Sequence, residues 1–124
     1  MIYKLHTSKQ TQEIFSALGQ TVGLQPFALS KLAIALSVRE GNLSSADYAA
    51  DNEGLELNRQ TIFGEYDLLF KCLVISKENR QVTDAEYFPK IVKAHLDRGA
   101  VLLHNEKRYS KDFFNHLCRL ESTI

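Results

Sequence analysis

Two groups of side chains in this 124-residue chain are of types that could do chemistry. Asp47, Asp51 and Glu53 could gather a divalent cation, as carboxylates do in metal-assisted phosphoryl chemistry. No His or Lys stands beside them in sequence, so a solvated acidic loop is the better reading. The second group is the histidines and cysteines. His95 and His104 are nine apart, which puts them on opposite faces of a helix, and His116 and Cys118 also diverge. Zinc needs convergent ligands, so packed or solvated side chains account for these residues better than a metal site. The chain has no glycine-rich phosphate loop, no zinc-protease histidine pair and no nucleophile elbow. No catalytic set, metal or cofactor is called for.

The basic residues offer a different chemistry, contact with phosphate. Lys4, His6 and Lys9 lie near the start, Lys31 lies inside the second helical pattern, and Lys107, Arg108 and Lys111 form the densest cluster. DNA contact is the reading for the first group, because the apolar face of its segment points the other way. An edge strand protected by a lysine is the alternative. For the last group, nucleic acid and a solvated turn weigh equally. Lys90 and Lys93 could touch phosphate, but they are four residues from Glu86 and Asp97, and surface ion pairs are the better reading. Total charge is zero, 15 basic against 15 acidic residues, which counts against strong nonspecific DNA binding. The charges are segregated, however: residues 1–40 carry a net +2, residues 41–67 a net −5 and residues 68–124 a net +3. Local basic patches are compatible with that distribution.

These residues must be held by a mainly helical fold. Residues 1–6 alternate, with Met1, Tyr3 and Leu5 on one face and Ile2, Lys4 and His6 on the other. Thr7 or Ser8 is a sound N-cap for a helix running from about Lys9 to Gln20, and Gly23 suits its stop. A second helix opens with Pro26 at a first-turn position and stops at Gly41. It is apolar almost all round, which requires burial on several sides. Leu29, Leu32, Ala33 and Leu36 are the expected contacts with another subunit. Strand, helix and helix within 40 residues outline a ribbon-helix-helix-like unit, whose strands would pair across a dimer. Residues 41–64 read as a long acidic connection, with a short helical turn around Ala46–Ala50 and weak alternation at Leu55, Leu57 and Arg59. A third helix spans about Glu65 to Lys77. Thr83 and Glu86 form a capping box opening a fourth, to about Leu103, with Pro89 and Gly99 as weak points. Ser110 caps a last helix carrying Phe113, Phe114, Leu117 and Leu120.

The length suits a single domain over residues 1–124. The chain is 44% hydrophobic and 24% charged, and no apolar run approaches a membrane span of roughly 20 residues. No secretory signal is evident, so a cytoplasmic location without membrane contact is expected. Cys72 and Cys118 fall in apolar helical patterns and read as buried thiols.

The whole chain resembles the DndE family, the small protein of bacterial DNA sulfur modification (phosphorothioation) systems. The residues that carry the resemblance are Ile2-Tyr3-Lys4-Leu5-His6-Thr7-Ser8, then Leu24-Gln25-Pro26-Phe27-Ala28-Leu29-Ser30-Lys31-Leu32-Ala33. The third block runs Gly54-Leu55-Glu56-Leu57-Asn58-Arg59 and continues through Ile62-Phe63-Gly64-Glu65. The resemblance implies a part in replacing a non-bridging phosphate oxygen of DNA by sulfur. A cysteine desulfurase, an iron-sulfur protein and an ATPase-like protein act in these systems. The small member would be a non-enzymatic, tetrameric, DNA-binding component with affinity for nicked duplex and a fold near the ribbon-helix-helix group. Three functional expectations stand: a DNA-binding accessory subunit, an adaptor between proteins with little DNA binding, and a DNA-nicking enzyme. The last lacks a recognisable catalytic set.

Overall fold

The computed structural model describes residues 3–78 and 80–108; the helix expected after Ser110 lies outside them. The order is β1 (Lys4–His6), α1 (Lys9–Val22), α2 (Pro26–Glu40), a 3-10 turn (Ser45–Tyr48), β2 (Glu56–Asn58), α3 (Arg59–Phe63), a second 3-10 turn (Gly64–Tyr66) and α4 (Asp67–Ile75). One turn of helix, α5 (Asp84–Glu86), then runs through a π segment (Tyr87–Val92) into α6 (Lys93–Arg108). The chain is mainly α, as its periodicity predicts.

The strand departs from the ribbon-helix-helix expectation. β1 pairs antiparallel with β2 of the same chain, Leu5 opposite Leu57 and Lys4 opposite Asn58. The weak alternation through Leu57 is therefore a true strand, and the long connection is the route that brings it back to the N-terminus. Thr7 locks the exit of the hairpin. Its N–H donates to Leu55 O, its carbonyl accepts from Gly54 N–H, and its hydroxyl accepts from Leu55 N–H at 2.9 Å. Gly54 is needed there, because a Cβ at that position would sit 2.1 Å from Ser8 O.

Ser8 is the N-cap of α1, its hydroxyl accepting from Thr11 N–H, and Gly23 ends the helix at φ 74°. That left-handed backbone is where glycine is favoured. Pro26 opens α2 at its first turn, and Gly41 follows its end. The most extensive helix contact is α2 on α6. Gly99 makes it possible: a Cβ there would lie 1.8 Å from Ala33 O. The residue that weakens a helix in isolation is the point of closest approach between two of them.

Pro89 falls inside the π segment. Proline has no N–H to donate, and its ring collides with the carbonyl one α-turn back. A widened π turn accommodates both effects. Tyr87, Phe88, Ile91 and Val92 of this segment are all buried. A single core extends from Leu5 through Phe15, Leu29, Ile34, Phe63 and Val74 to Leu103. No single helix among the described residues is long and apolar enough to cross a membrane.

Candidate nucleic-acid interface

The burial pattern of β1 is exposed, buried, exposed, with Leu5 in the core and Lys4 and His6 facing out. Lys9 follows in the first turn of α1, also exposed. Three exposed groups that can carry positive charge therefore lie within residues 4–9. Acidic neighbours temper them. Lys4 Nζ is 3.1 Å from Glu56 Oε1, with both side chains largely in water. The Lys9 backbone N–H donates to Asp51 Oδ1 at 2.9 Å, and its ammonium reaches Gln12 Oε1 at 3.5 Å. Lys31 is half-buried, its ammonium 5.6 Å from the Phe27 ring centroid. Lys107 and Arg108 occupy the last turn of α6, and Lys111 lies outside the described residues.

Two acidic residues of the connection, Asp47 and Asp51, are tied into the fold. Asp47 accepts from Ser44 N–H at 2.7 Å in a capping box and lies 3.7 Å from Arg98. Asp51 accepts from Lys9 and Glu53 N–H, bonds that hold its carboxyl below the usual carboxylate range. Among the described residues, no group of three or more His, Cys, Asp or Glu side chains could hold a metal ion.

Two expected surface pairs are arranged otherwise. Glu86 pairs with Arg80 at 2.9 Å, not with Lys90, and this contact pulls the Glu86 carboxyl below its ordinary value. Lys93 and Asp97 do pair, at 2.6 Å, but both side chains are buried. Asp97 Oδ1 also accepts from Ser8 N–H at 3.0 Å and Thr11 Oγ1 at 2.7 Å. This carboxylate ties α6 to the start of α1. One face of a helix periodicity looks like any other in sequence, so the spacing could show the pair but not its burial.

Of the residues expected at a subunit contact, Leu29 and Ala33 are 0% exposed within one chain. The chain itself covers them, because α6 crosses at Ala33. Leu32 and Leu36 are half-buried. The large exposed apolar face lies on α4, where Leu68, Leu69 and Leu73 are 72%, 55% and 47% exposed, next to exposed Tyr66. Cys72 shares that face and is exposed, not a buried thiol; Cys118 lies outside the described residues. The periodicity of 65–77 finds the helix but not which side is covered, because the chain is apolar on both.

The α6–α2 seam carries a buried polar network. Arg98 donates to Ser37 Oγ, Ser37 O and Gly41 O at 2.8, 2.6 and 2.6 Å, supplying the donors that end α2. His95 Nδ1 is 2.8 Å from Ser37 Oγ, and its Nε2 has no partner among the described residues. Burial, reinforced by the Arg98 charge, pushes His95 down to about 4, so the ring is neutral. Arg59 grips Asp67 with two bonds of 2.6 and 2.7 Å and stacks 5.0 Å from the Tyr87 ring centroid.

Comparison with known proteins decides the family. The family model described as DNA sulphur modification protein DndE matches residues 4–111. The chain belongs to the DndE family. Two solved structures share its fold. DndE from Escherichia coli B7A, involved in DNA phosphorothioation modification, superimposes with a TM-score of 0.68 at 22% identity, covering 83% of this chain and 97% of that one. A double glycine-to-lysine mutant of DndE, involved in DNA phosphorothioation, gives 0.63 at 22% identity over 85% and 99%. No curated protein matches. The family places the chain in DNA sulfur modification.

Proposed function

We propose that this DndE-family chain is a non-enzymatic accessory component that holds duplex DNA, nicked duplex included, for the sulfur-incorporation machinery. The observation that carries the reading is the exposure of Lys4, His6 and Lys9, the first two turned outward by the burial of Leu5. The Lys4–Glu56 pair does not oppose it, since exposed pairs contribute only about 0–1 kcal/mol and a phosphate can displace the carboxylate. Binding runs through phosphates with little base reading, and assembly into a tetramer multiplies a weak patch. Lys31, Lys107, Arg108 and Lys111 are the further proposed contacts.

Fluorescence anisotropy with intact and nicked duplex, with and without magnesium, tests this. Lys4→Glu combined with Lys9→Glu is expected to weaken both duplexes. The log–log salt slope should fall by about 0.9 for each phosphate that the variant no longer neutralises. Cleavage in magnesium would overturn the non-enzymatic role. Absence of binding at micromolar protein and low salt would favour the second reading, an adaptor between proteins. The exposed leucines of α4 favour that one, because contiguous apolar surface on a small protein marks contact with another protein.

A further inference from the structure

A cleft of about 380 Å3 lies between the Ser45–Asn52 stretch and the π segment, lined by Tyr48, Asn52, Lys90 and Lys93 among others. That volume lies within the range of small-ligand sites. Its polar lining is dominated by donors. Lys90 is exposed and makes no ion pair among the described residues, because Arg80 has taken Glu86. Lys93 spends one N–H on Asp97, and an ammonium has three. Asn52 adds an amide. Tyr48 adds a hydroxyl that burial and the Glu78 charge keep protonated by raising its pKa.

Three nearby carboxylates are already hydrogen-bonded, while the Glu78 charge acts on Tyr48. Asp97 is filled by Ser8, Thr11 and Lys93. Asp47, which also lines the cleft, is bound by Ser44 and faces Arg98. Asp51, between Ala50 and Asn52, accepts from the Lys9 and Glu53 amides. Lys90, the Asn52 amide and the remaining N–H groups of Lys93 are donors suited to an anion with several acceptor oxygens.

We propose that this cleft seats a phosphate group, which on the DNA-holding reading above is a backbone phosphodiester of the duplex. The Lys9 backbone is tied to Asp51, which stands between the lining residues Ala50 and Asn52, so the seat adjoins the start of α1. Lys90 reaches the phosphate from the rim as a mobile cation. Lys93 holds it from inside and Asn52 from the exposed side.

The test is a 1H–15N NMR titration of the full chain, first with inorganic phosphate and then with a short duplex. Phosphate at millimolar concentration is expected to shift the Asn52 side-chain amide and the Ala50 and Ala94 backbone signals. Duplex should shift the same signals at much lower concentration. Lys90→Gln, a surface change that leaves the fold intact, should weaken duplex binding several-fold and lower the salt slope by about 0.9. Lys77→Gln, just past the end of α4, should change neither. Duplex binding that leaves the three signals in place would overturn the seat while sparing the DNA reading. Phosphate shifts without any duplex binding would support the seat and remove the DNA reading. Silence with both ligands would overturn the seat.

Discussion

The inner face of α6 and the outer face of α4 are both helical and both carry apolar residues, yet they are built oppositely. On α6, apolar side chains alternate with a glycine that meets backbone, a carboxylate that meets three donors and an arginine that ends another helix. Each of these has a specific counterpart within the chain. On α4, Leu68, Leu69 and Leu73 have large areas in water, and only Val74 is fully buried. The contrast separates surface committed to the fold from surface that is not. Apart from His95 Nε2, the buried side-chain polar groups described on this face have partners, and unmatched ones are costly. A face of bare leucines has no such pairing to satisfy and is open to a partner.

Four sets of substitutions probe that contrast. Asp97→Ala should have the largest effect, because it strands Lys93 and takes the acceptor from Ser8 N–H and the Thr11 hydroxyl. Breaking a buried pair costs roughly 3–5 kcal/mol, to be read as a shift in the urea midpoint. Gly99→Ala should come next. Its methyl cannot coexist with Ala33 O, so α2 and α6 must part, at about 3 kcal/mol for a backbone shift in a packed seam. If Gly99→Ala folded with unchanged stability, the seam would not be the tight element described.

His95 supplies a third, pH-dependent reading. Its folded pKa of about 4 lies below the unfolded value near 6.5, so between these values the unfolded chain binds the extra proton. The stability contributed by the neutral ring is complete above pH 6.5 and is lost as pH falls toward 4. Between pH 6.5 and 5, before most carboxylates titrate, the loss should be roughly 1.5 kcal/mol. In His95→Gln that slope should flatten. The smallest effect on folding belongs to α4. Leu69→Gln with Leu73→Gln should leave unfolding within about 0.5 kcal/mol, as surface changes do, while reducing the assembled mass seen by light scattering. A large loss of stability instead would mean that α4 is part of the core after all.

Helix ends are legible in the sequence. Ser8, Gly23, Pro26, Gly41 and the Thr83–Glu86 box mark them because their chemistry is local. The partner of β1 is not legible, since nothing in Lys4-Leu5-His6 names a strand 50 residues away. The blocks that carry the family resemblance hold a clue to it. The opening block and the block from Gly54 to Arg59 are the two halves of one hairpin, and Arg59 N–H returns to Tyr3 O at 2.6 Å. Candidate site residues are half legible. Exposure of Lys4 and His6 follows from alternation, but the release of Lys90 depends on Arg80 capturing Glu86, a contact across a turn. The role of Gly99 is hidden because glycine in a helix reads as weakness until the second helix is in place.

The bond from Ser8 N–H to Asp97 spans 89 residues, and the strand beside it is paired with residues 56–58. Translated into the order of synthesis, this means that the N-terminal forty residues cannot finish folding when they leave the ribosome. Their helices can flicker, but their ladder arrives only with residues 56–58, and the Asp97 acceptor and the floor under Ala33 only with α6. Contacts so distant in sequence slow folding, because the intervening loop must close before they reward the chain. The segment that looks most like an independent unit is thus the first made and the last completed.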